Sequence, residues 1–222
     1  MDSSYCYPGT SVLKNLRGIK DPELLATYER AATVLRGRTL PSGQLDFDHL
    51  KAIHHRLFQD VYPWAGQTRT VDISKGNSLF CRARFIDKET ANLMLALRAE
   101  EHLSAYRDPE TFARRAAHFL CELNAIHPFR EGNGRTQRVF FGLVAEQAGY
   151  QLDLTRISES AMLEASIAGM QGREEPMATV VEAALVPTRQ RTDQQQALYE
   201  QALATLKERQ TARGRGDDDL LR

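Results

Sequence analysis

Apolar residues recur at helical spacing along most of this chain. The segment DPELLATYERAATVLRG (residues 21–37) opens with Asp as a cap and Pro at the first helical position, and it closes on a Gly. The segment DFDHLKAIHHRLFQDVY (46–62) places its apolar residues on one stripe. Further helices are predicted over residues 87–106, 108–126 and 133–148 and within 155–186. The pattern therefore predicts a mostly α-helical fold.

The same periodicity predicts which side chains form the core. The inward-facing residues are expected to be Leu50, Ile53, Leu57, Phe58 and Val61, then Phe112, Ala116, Phe119, Leu120 and Leu123, and finally Val139, Phe140, Leu143 and Val144. The adjacent His54 and His55 point in different directions on a helix. Because no carboxylate or cysteine accompanies them, we interpret both histidines as structural.

One stretch has a β pattern instead. TRTVDI (68–73) alternates, KGNS has the composition of a turn, and LFCRARF (79–85) can return as a second strand. The sequence therefore predicts a hairpin at residues 68–85. An isolated two-stranded hairpin is only marginally stable, so we expect it to lean on the helices.

The length of 222 residues suits one substantial domain with a short appendage. After Pro187 the composition shifts to Gln, Arg and Asp, with few large apolar residues. We therefore predict a folded domain over residues 1–187 and a charged tail over 188–222 that is partly helical or disordered.

Charge and cysteine content exclude several function classes. The 29 basic and 29 acidic residues cancel, so no global field favours nucleic acid or an anionic membrane. No apolar run and no leader of the secretory type is visible. The odd, scattered cysteines, Cys6, Cys81 and Cys121, form neither a disulfide framework nor a C-x-x-C pair. We expect a cytoplasmic protein without nucleic-acid or membrane partners.

The most informative stretch is HPFREGNGRTQR, residues 127–138. Pro128 disfavours the α conformation for His127, so the preceding helix should stop there and leave the imidazole at a helix end. Histidine is the side chain best able to accept a proton near neutral pH. His127 is therefore a candidate general base.

Residues 132–134, Gly132-Asn133-Gly134, open the next helix. Glycines allow the backbone to approach a ligand closely, and the free amides and dipole of a helix start favour an anion. Arg135 and Arg138 share one face of the first turn and offer forked donors for phosphate oxygens. This arrangement predicts a polyphosphate site.

Glu131 is a carboxylate among these anion-binding groups. Mg²⁺ commonly bridges one or two carboxylates and phosphate oxygens, so the position predicts a magnesium ligand. Zinc at His127 and Glu131 is disfavoured, because Pro and Gly prevent the helical i, i+4 geometry and no third ligand is near.

Each feature alone has an ordinary explanation: a helix end, a turn, or a solvated Arg pair. Their conjunction within one short stretch favours a functional site. A helix-turn-helix DNA-binding module is disfavoured by the neutral net charge and by a turn longer than that motif uses.

HPFREGNGRTQR resembles the Fic signature H-P-F-x-[D/E]-G-N-G-R-x-x-R at every fixed position. KNLRGI, LKAIHHRLFQDVYPWAGQTRTVDISKG and CELNAIHPF also resemble Fic domains, so the likeness covers roughly residues 7–187. The chain is most similar to compact Fic toxins of toxin–antitoxin modules and to Fic domains of type IV secreted effectors. The resemblance implies a Fic-type helical bundle with a small β-hairpin flap beside the active site.

The resemblance also implies an activity: transfer of AMP from ATP to a hydroxyl side chain of a protein. Under it, His127 is the base and Glu131 holds Mg²⁺. The ATP phosphates would be bound by Gly132, Asn133, Gly134, Arg135 and Arg138. Phe129 would be a core residue that anchors the loop. Transfer of a γ-phosphoryl group is disfavoured because such relatives usually have Lys at the place of Gly134. Transfer of UMP or phosphocholine stays open.

The hairpin at 68–85 resembles the family's flap, which holds the target segment by strand addition. Lys75, Gly76 and Asn77 are the candidate target-binding residues. A surface hairpin that only covers the core remains an alternative.

Fic proteins are commonly restrained by an inhibitory helix of the pattern Ser/Thr-x-x-x-Glu-Gly/Asn. The stretches ending in Glu159 and Glu164 have the spacing but not the last residue. We therefore expect a separate small helical antitoxin whose glutamate reaches Arg138.

The toxin likeness implies DNA gyrase and topoisomerase IV as targets, in the bacterial cytoplasm. The effector likeness implies secretion into a host cell and targets such as small GTPases.

Overall fold

The computed structural model describes residues 5–76, 78–188 and 201. Its helices are α1 (Pro22–Arg36), α2 (Phe47–Phe58), α3 (Ile86–Ala99), α4 (Pro109–Ile126), α5 (Asn133–Gln147), α6 (Glu159–Met170) and α7 (Glu175–Ala184). Its strands are β1 (Ser74–Lys75), β2 (Ser78–Leu79), β3 (Tyr150–Leu152) and β4 (Leu185–Pro187). The predicted mostly α-helical fold with a small hairpin is confirmed.

The helices begin where the sequence provides a cap. The Asp21 carboxylate accepts from the Leu24 amide at 2.8 Å, with Pro22 in the first turn. Asp108 caps α4 in the same way through the Thr111 amide at 2.8 Å. Such caps satisfy amides that have no intrahelical acceptor, which is why both Asp-Pro pairs predicted the helix starts well.

The core is organised around α4, which packs against α3, α5, α6 and α7. The predicted inward residues of α2, α4 and α5 all lie in or against this core, with Val139 and Leu143 only partly buried. α1 packs on α2, and α2 on α5. This packing fixes the C-terminal end of α4 beside the N-terminal end of α5, where the motif lies.

The predicted hairpin is correct in place and wrong in extent. β1 and β2 pair antiparallel only as Ser74 with Leu79 and Lys75 with Ser78. The arms do not form the predicted strands because their amides bond elsewhere: Arg69 N–H donates to the Pro128 carbonyl and Cys81 N–H to the Ala125 carbonyl, both at 2.9 Å. Residues 83–85 form a 3₁₀ turn leading into α3. Asn77 lies outside the described residues.

Two further differences come from local backbone geometry. The helix predicted over 87–106 ends at Ala99, since residues 101–103 all have positive φ and turn the buried Leu103 into the core. The segment after α5 contains β3, which pairs antiparallel with β4 and which the sequence pattern did not reveal. The three-residue strands are too short to show an alternating pattern.

The boundary at residue 187 stays a prediction. Apart from Thr188 and Gln201, the predicted tail (188–222) lies outside the described residues. Among the helices described, none combines the length and the apolar character needed to cross a bilayer.

Candidate active site

His127 lies directly after α4, where the backbone turns left-handed (φ 51°, ψ 63°). Its amide closes the helix by donating to the Leu123 carbonyl at 3.0 Å. The predicted end of the helix at the His-Pro step is thus confirmed. A positive φ is costly for a residue with a β-carbon, and such conformations cluster at functional sites.

The imidazole of His127 is held on two sides. Its Nδ1 is 3.2 Å from the Asn124 carbonyl, and its ring stacks on Phe80 with centroids 3.9 Å apart. Because a carbonyl only accepts, we place the proton on Nδ1, which leaves the Nε2 lone pair available. Burial lowers the pKa of His127 to about 4, and the positive charges of Arg69 and Lys75 lower it as well. The hydrogen bond to the Asn124 carbonyl acts in the opposite direction and raises the pKa. The ring is neutral at pH 7 and can accept a proton.

Gly132 begins α5 with φ 82°. A β-carbon at this position would overlap the Phe58 ring of α2, so the site requires glycine for both conformation and space. The amides of residues 133–135 start the helix, and within the described residues none donates to a backbone carbonyl. This is the arrangement that suits an anion at a helix start, and the phosphate-binding role stays a prediction.

The Asn133 side chain staples the loop. Its Nδ2 donates to the Phe129 carbonyl at 2.7 Å and its Oδ1 accepts from the Phe129 amide at 2.9 Å. Phe129 itself is buried, as expected for an anchor. The Asn133 side chain is therefore committed to holding the loop, and its backbone N–H faces the start of the helix.

Arg135 has a partner that the sequence did not reveal. Its guanidinium donates to Glu29 of α1, lies 4.8 Å over the Phe58 ring and is 3.7 Å from Glu131. The second Glu29 oxygen accepts from the Tyr62 hydroxyl. Glu29 lies in the middle of the helix predicted over residues 21–37, outside the motif, so no local signal identified it.

Arg138 is half-buried, and no carboxylate of the described residues lies within ion-pairing distance of it. Burial lowers its pKa, as does the neighbouring Arg135 charge, while Glu159 at the start of α6 raises it from a distance. A partly desolvated cation without a counter-charge favours an anionic ligand.

Glu131 presents an exposed carboxylate on an immobilised backbone. Its Oε1 accepts from the Gly132 amide at 2.9 Å, and 45% of its side chain is exposed. Its carbonyl is 3.0 Å from Nε2 of His54, whose Nδ1 accepts from the Gly66 amide at 2.8 Å. The Gly66 bond leaves the proton on Nε2, so His54 donates to the loop.

His54 is fully buried and stacks on Phe129 with centroids 3.9 Å apart. Burial lowers its pKa to about 4, which keeps it neutral. The structural interpretation of His54 and of the exposed His55 agrees with these contacts. The sequence did not show that His54 supports the motif loop.

The flap, residues 68–85, lies against His127 through Phe80. Lys75 and Gly76 are exposed at its tip, and Gly76 has φ 57° with open space around it. Arg69 at its base is buried and bonds to carbonyls on both sides. The structure thus brings the predicted base, helix start, arginines and carboxylate together within one loop and its flap.

The donor set fits ATP with Mg²⁺. The helix-start amides and Arg138 suit phosphate oxygens, and the exposed Glu131 carboxylate suits a hard cation beside them. The arrangement is that of a candidate nucleotide site beside a candidate general base, the kind that a nucleotidyltransferase uses.

Comparison with known proteins agrees. Residues 44–145 match the Fic/DOC family. A probable protein adenylyltransferase of Sinorhizobium fredii is 43% identical over 182 residues, covering 82% of this chain and 95% of that protein. A protein adenylyltransferase of Bartonella schoenbuchensis is 41% identical over 206 residues, covering 90% of this chain and 43% of that longer protein. The chain belongs to the Fic/DOC family, and its predicted enzyme class, nucleotidyltransferase, is confirmed.

Solved structures show the same fold. The crystal structure of a VirB-translocated effector protein from Bartonella tribocorum with bound AMPPNP has a TM-score of 0.77 and 30% identity. The match covers 84% of this chain and 98% of that one. The predicted likeness to Fic domains of type IV secreted effectors is therefore confirmed.

Proposed function

We propose that this chain is a protein adenylyltransferase that moves AMP from ATP to a hydroxyl side chain of a target protein. The observation that carries the proposal is the placement of His127, whose Nδ1 faces the Asn124 carbonyl and whose Nε2 is left available, one loop away from the start of α5. Relatives named protein adenylyltransferases support the same chemistry.

In the proposed reaction the target hydroxyl oxygen forms a bond to the α-phosphorus of ATP. The bond from that phosphorus to the bridging oxygen breaks, and pyrophosphate leaves. The hydroxyl proton passes to Nε2 of His127, whose Nδ1–H is fixed by the Asn124 carbonyl. Positioned proton transfer of this kind is worth roughly 10² to 10⁴ in rate.

The phosphates would be held by the backbone amides of Asn133 and Gly134 and by Arg138, with Arg135 oriented beside them by Glu29. Gly132, whose amide donates to Glu131, would shape this phosphate site. Mg²⁺ bound at Glu131 would neutralise phosphate charge on the leaving pyrophosphate. Gly134 stands where relatives that transfer the γ-phosphoryl group usually have Lys, and this resemblance favours AMP transfer over γ-phosphoryl transfer. Transfer of UMP or phosphocholine is the second candidate.

The flap would hold the target segment by strand addition at its tip, where Lys75 and Gly76 are exposed. Asn77 is included in this proposal on the resemblance alone. The exposed edges of the two-residue strands offer backbone groups to an added strand.

Regulation by a separate small helical antitoxin is part of the proposal on the resemblance, and the state of Arg138 supports it. No carboxylate in the described part of the chain pairs with it, so an inhibitory glutamate supplied in trans has a cation to meet. If the chain is inert alone with ATP and Mg²⁺, this regulation loses its basis.

The target proteins are proposed from the resemblance. The toxin likeness favours DNA gyrase and topoisomerase IV, and the effector likeness favours host small GTPases.

The test uses bacterial lysate with Mg²⁺ and ATP labelled on the α-phosphate or, separately, on the γ-phosphate. We expect label on protein only from the α position. His127→Ala should abolish it, while His55→Ala, which changes an exposed histidine on α2, should not. Label from the γ position would replace AMP transfer by a kinase-like reaction. Equal labelling by wild type and His127→Ala would refute the assigned base.

A further inference from the structure

Arg69 is the largest of the fully buried side chains in the described structure, at 2% exposure. None of the ion pairs found among the described residues involves it. Burying an arginine without a carboxylate is costly, so its donors must be satisfied by other acceptors. All of the acceptors found are backbone carbonyls.

These carbonyls come from two separate parts of the site. Nε donates to the His127 carbonyl at 2.8 Å, and Nη2 to the Ile126 carbonyl at 3.1 Å. Nη1 donates to the Val71 carbonyl at 2.6 Å, and Nη2 also to the Cys81 carbonyl. One planar guanidinium therefore joins the end of α4 to both arms of the flap.

Backbone hydrogen bonds on either side support this junction. The Arg69 amide donates to the Pro128 carbonyl, and the Cys81 amide to the Ala125 carbonyl, both at 2.9 Å. Phe80, which precedes Cys81 in the flap, stacks on the His127 ring. Both arms of the flap thus attach to the four residues that carry the proposed base.

We infer that Arg69 is a positioning residue whose guanidinium fixes the flap at one separation from the His127 imidazole. The inference rests on the proposed function, because it places a flap-bound target hydroxyl at the base. Arginine suits the role since its rigid fork offers five N–H donors, whereas lysine offers three from one point. Its positive charge also meets the negative end of the α4 dipole.

The test compares Arg69→Met and Arg69→Lys with wild type. Arg98→Met is the matched control, because Arg98 is an exposed arginine of α3 outside the flap. Val181→Ala, which shortens a buried side chain of α7, is a control for general loss of stability. Each protein is tested for its dissociation constant for ATP, the rate of AMP transfer in lysate at saturating ATP, and amide hydrogen exchange.

We expect Arg69→Met to lower the transfer rate by about 10- to 100-fold, the order found when reacting groups are slightly misplaced. Arg69→Lys should recover part of this loss, and ATP affinity should not change in either variant. Amide exchange should accelerate at Cys81 and its neighbours but not in α5. Arg98→Met should behave as wild type.

Unchanged exchange in the flap of Arg69→Lys and Arg69→Met would overturn the inference. So would a rate loss no larger than that of Val181→Ala at equal thermal stability. If wild type itself transfers no AMP, the proposed function fails, and the exchange measurement still decides whether Arg69 fixes the flap. If Arg69→Met does not fold, Arg69→Lys provides the same comparison.

Discussion

Gly132→Ala tests whether the start of α5 depends on close contact with α2. At φ 82° the new residue would adopt a left-handed conformation, which costs about 1–2 kcal/mol for residues with a β-carbon. Its β-carbon would also overlap the Phe58 ring, and overpacking of a core typically costs about 1–3 kcal/mol. The two effects together predict a loss of roughly 2–5 kcal/mol.

Thermal denaturation followed by circular dichroism is the assay. For a chain of this size, 1 kcal/mol corresponds to about 2–4 °C, so the melting temperature should fall by roughly 4–20 °C. Two glycines separate the contributions. Gly18→Ala has φ 66° and open space, so it measures the conformational cost alone. Gly134→Ala has no positive φ and meets only Arg138 Nη1 at 3.4 Å, so it should be nearly neutral.

A double-mutant cycle with Phe58→Leu tests the assigned cause. If the ring is the obstacle, Gly132→Ala should cost less in the Phe58→Leu background. An equal cost in both backgrounds, or a cost no larger than that of Gly18→Ala, would refute the steric part of the reasoning.

Three further predictions follow from the site. NMR titration of the nucleotide-free protein should give His127 a pKa of about 4, and a value near 6.5 would contradict its burial. Because the folded pKa of His54 is also about 4, the unfolded chain binds the extra proton, so the melting temperature should fall as pH drops from 6.5 to 4. Arg138→Gln should weaken ATP binding at least about tenfold, unlike Arg98→Gln on α3.

The sequence predicted the parts of the site that are contiguous. Asp-Pro caps, the His-Pro helix end and the Gly-Asn-Gly helix start are local features, and each one has a local physical cause. The core stripes of α2, α4 and α5 were predictable for the same reason, since helical spacing exposes one face to burial.

The residues that sequence reasoning missed act across long chain separations. Glu29 meets Arg135, His54 meets the Glu131 carbonyl, and Arg69 meets the carbonyls at the end of α4. Every residue type has a backbone carbonyl, so a side chain that bonds to a carbonyl does not require a recognisable sequence motif at its partner. The short extent of β1 and β2 has the same origin. The Arg69 and Cys81 amides of the flap arms donate to carbonyls of residues 125–128, and in the described structure the backbone pairing between the arms ends at the bond from the Phe80 amide to the Ile73 carbonyl.

The ion pair between Glu29 and Arg135 bears on where the protein can be truncated. The family match begins at residue 44, within the loop before α2, yet Glu29 lies in α1. A shortened protein that starts at residue 44 would retain every residue of the signature but would lose Glu29, the counter-charge of Arg135. For recombinant expression or domain grafting, this ion pair favours a unit that starts before α1, upstream of residue 44 where the family match begins.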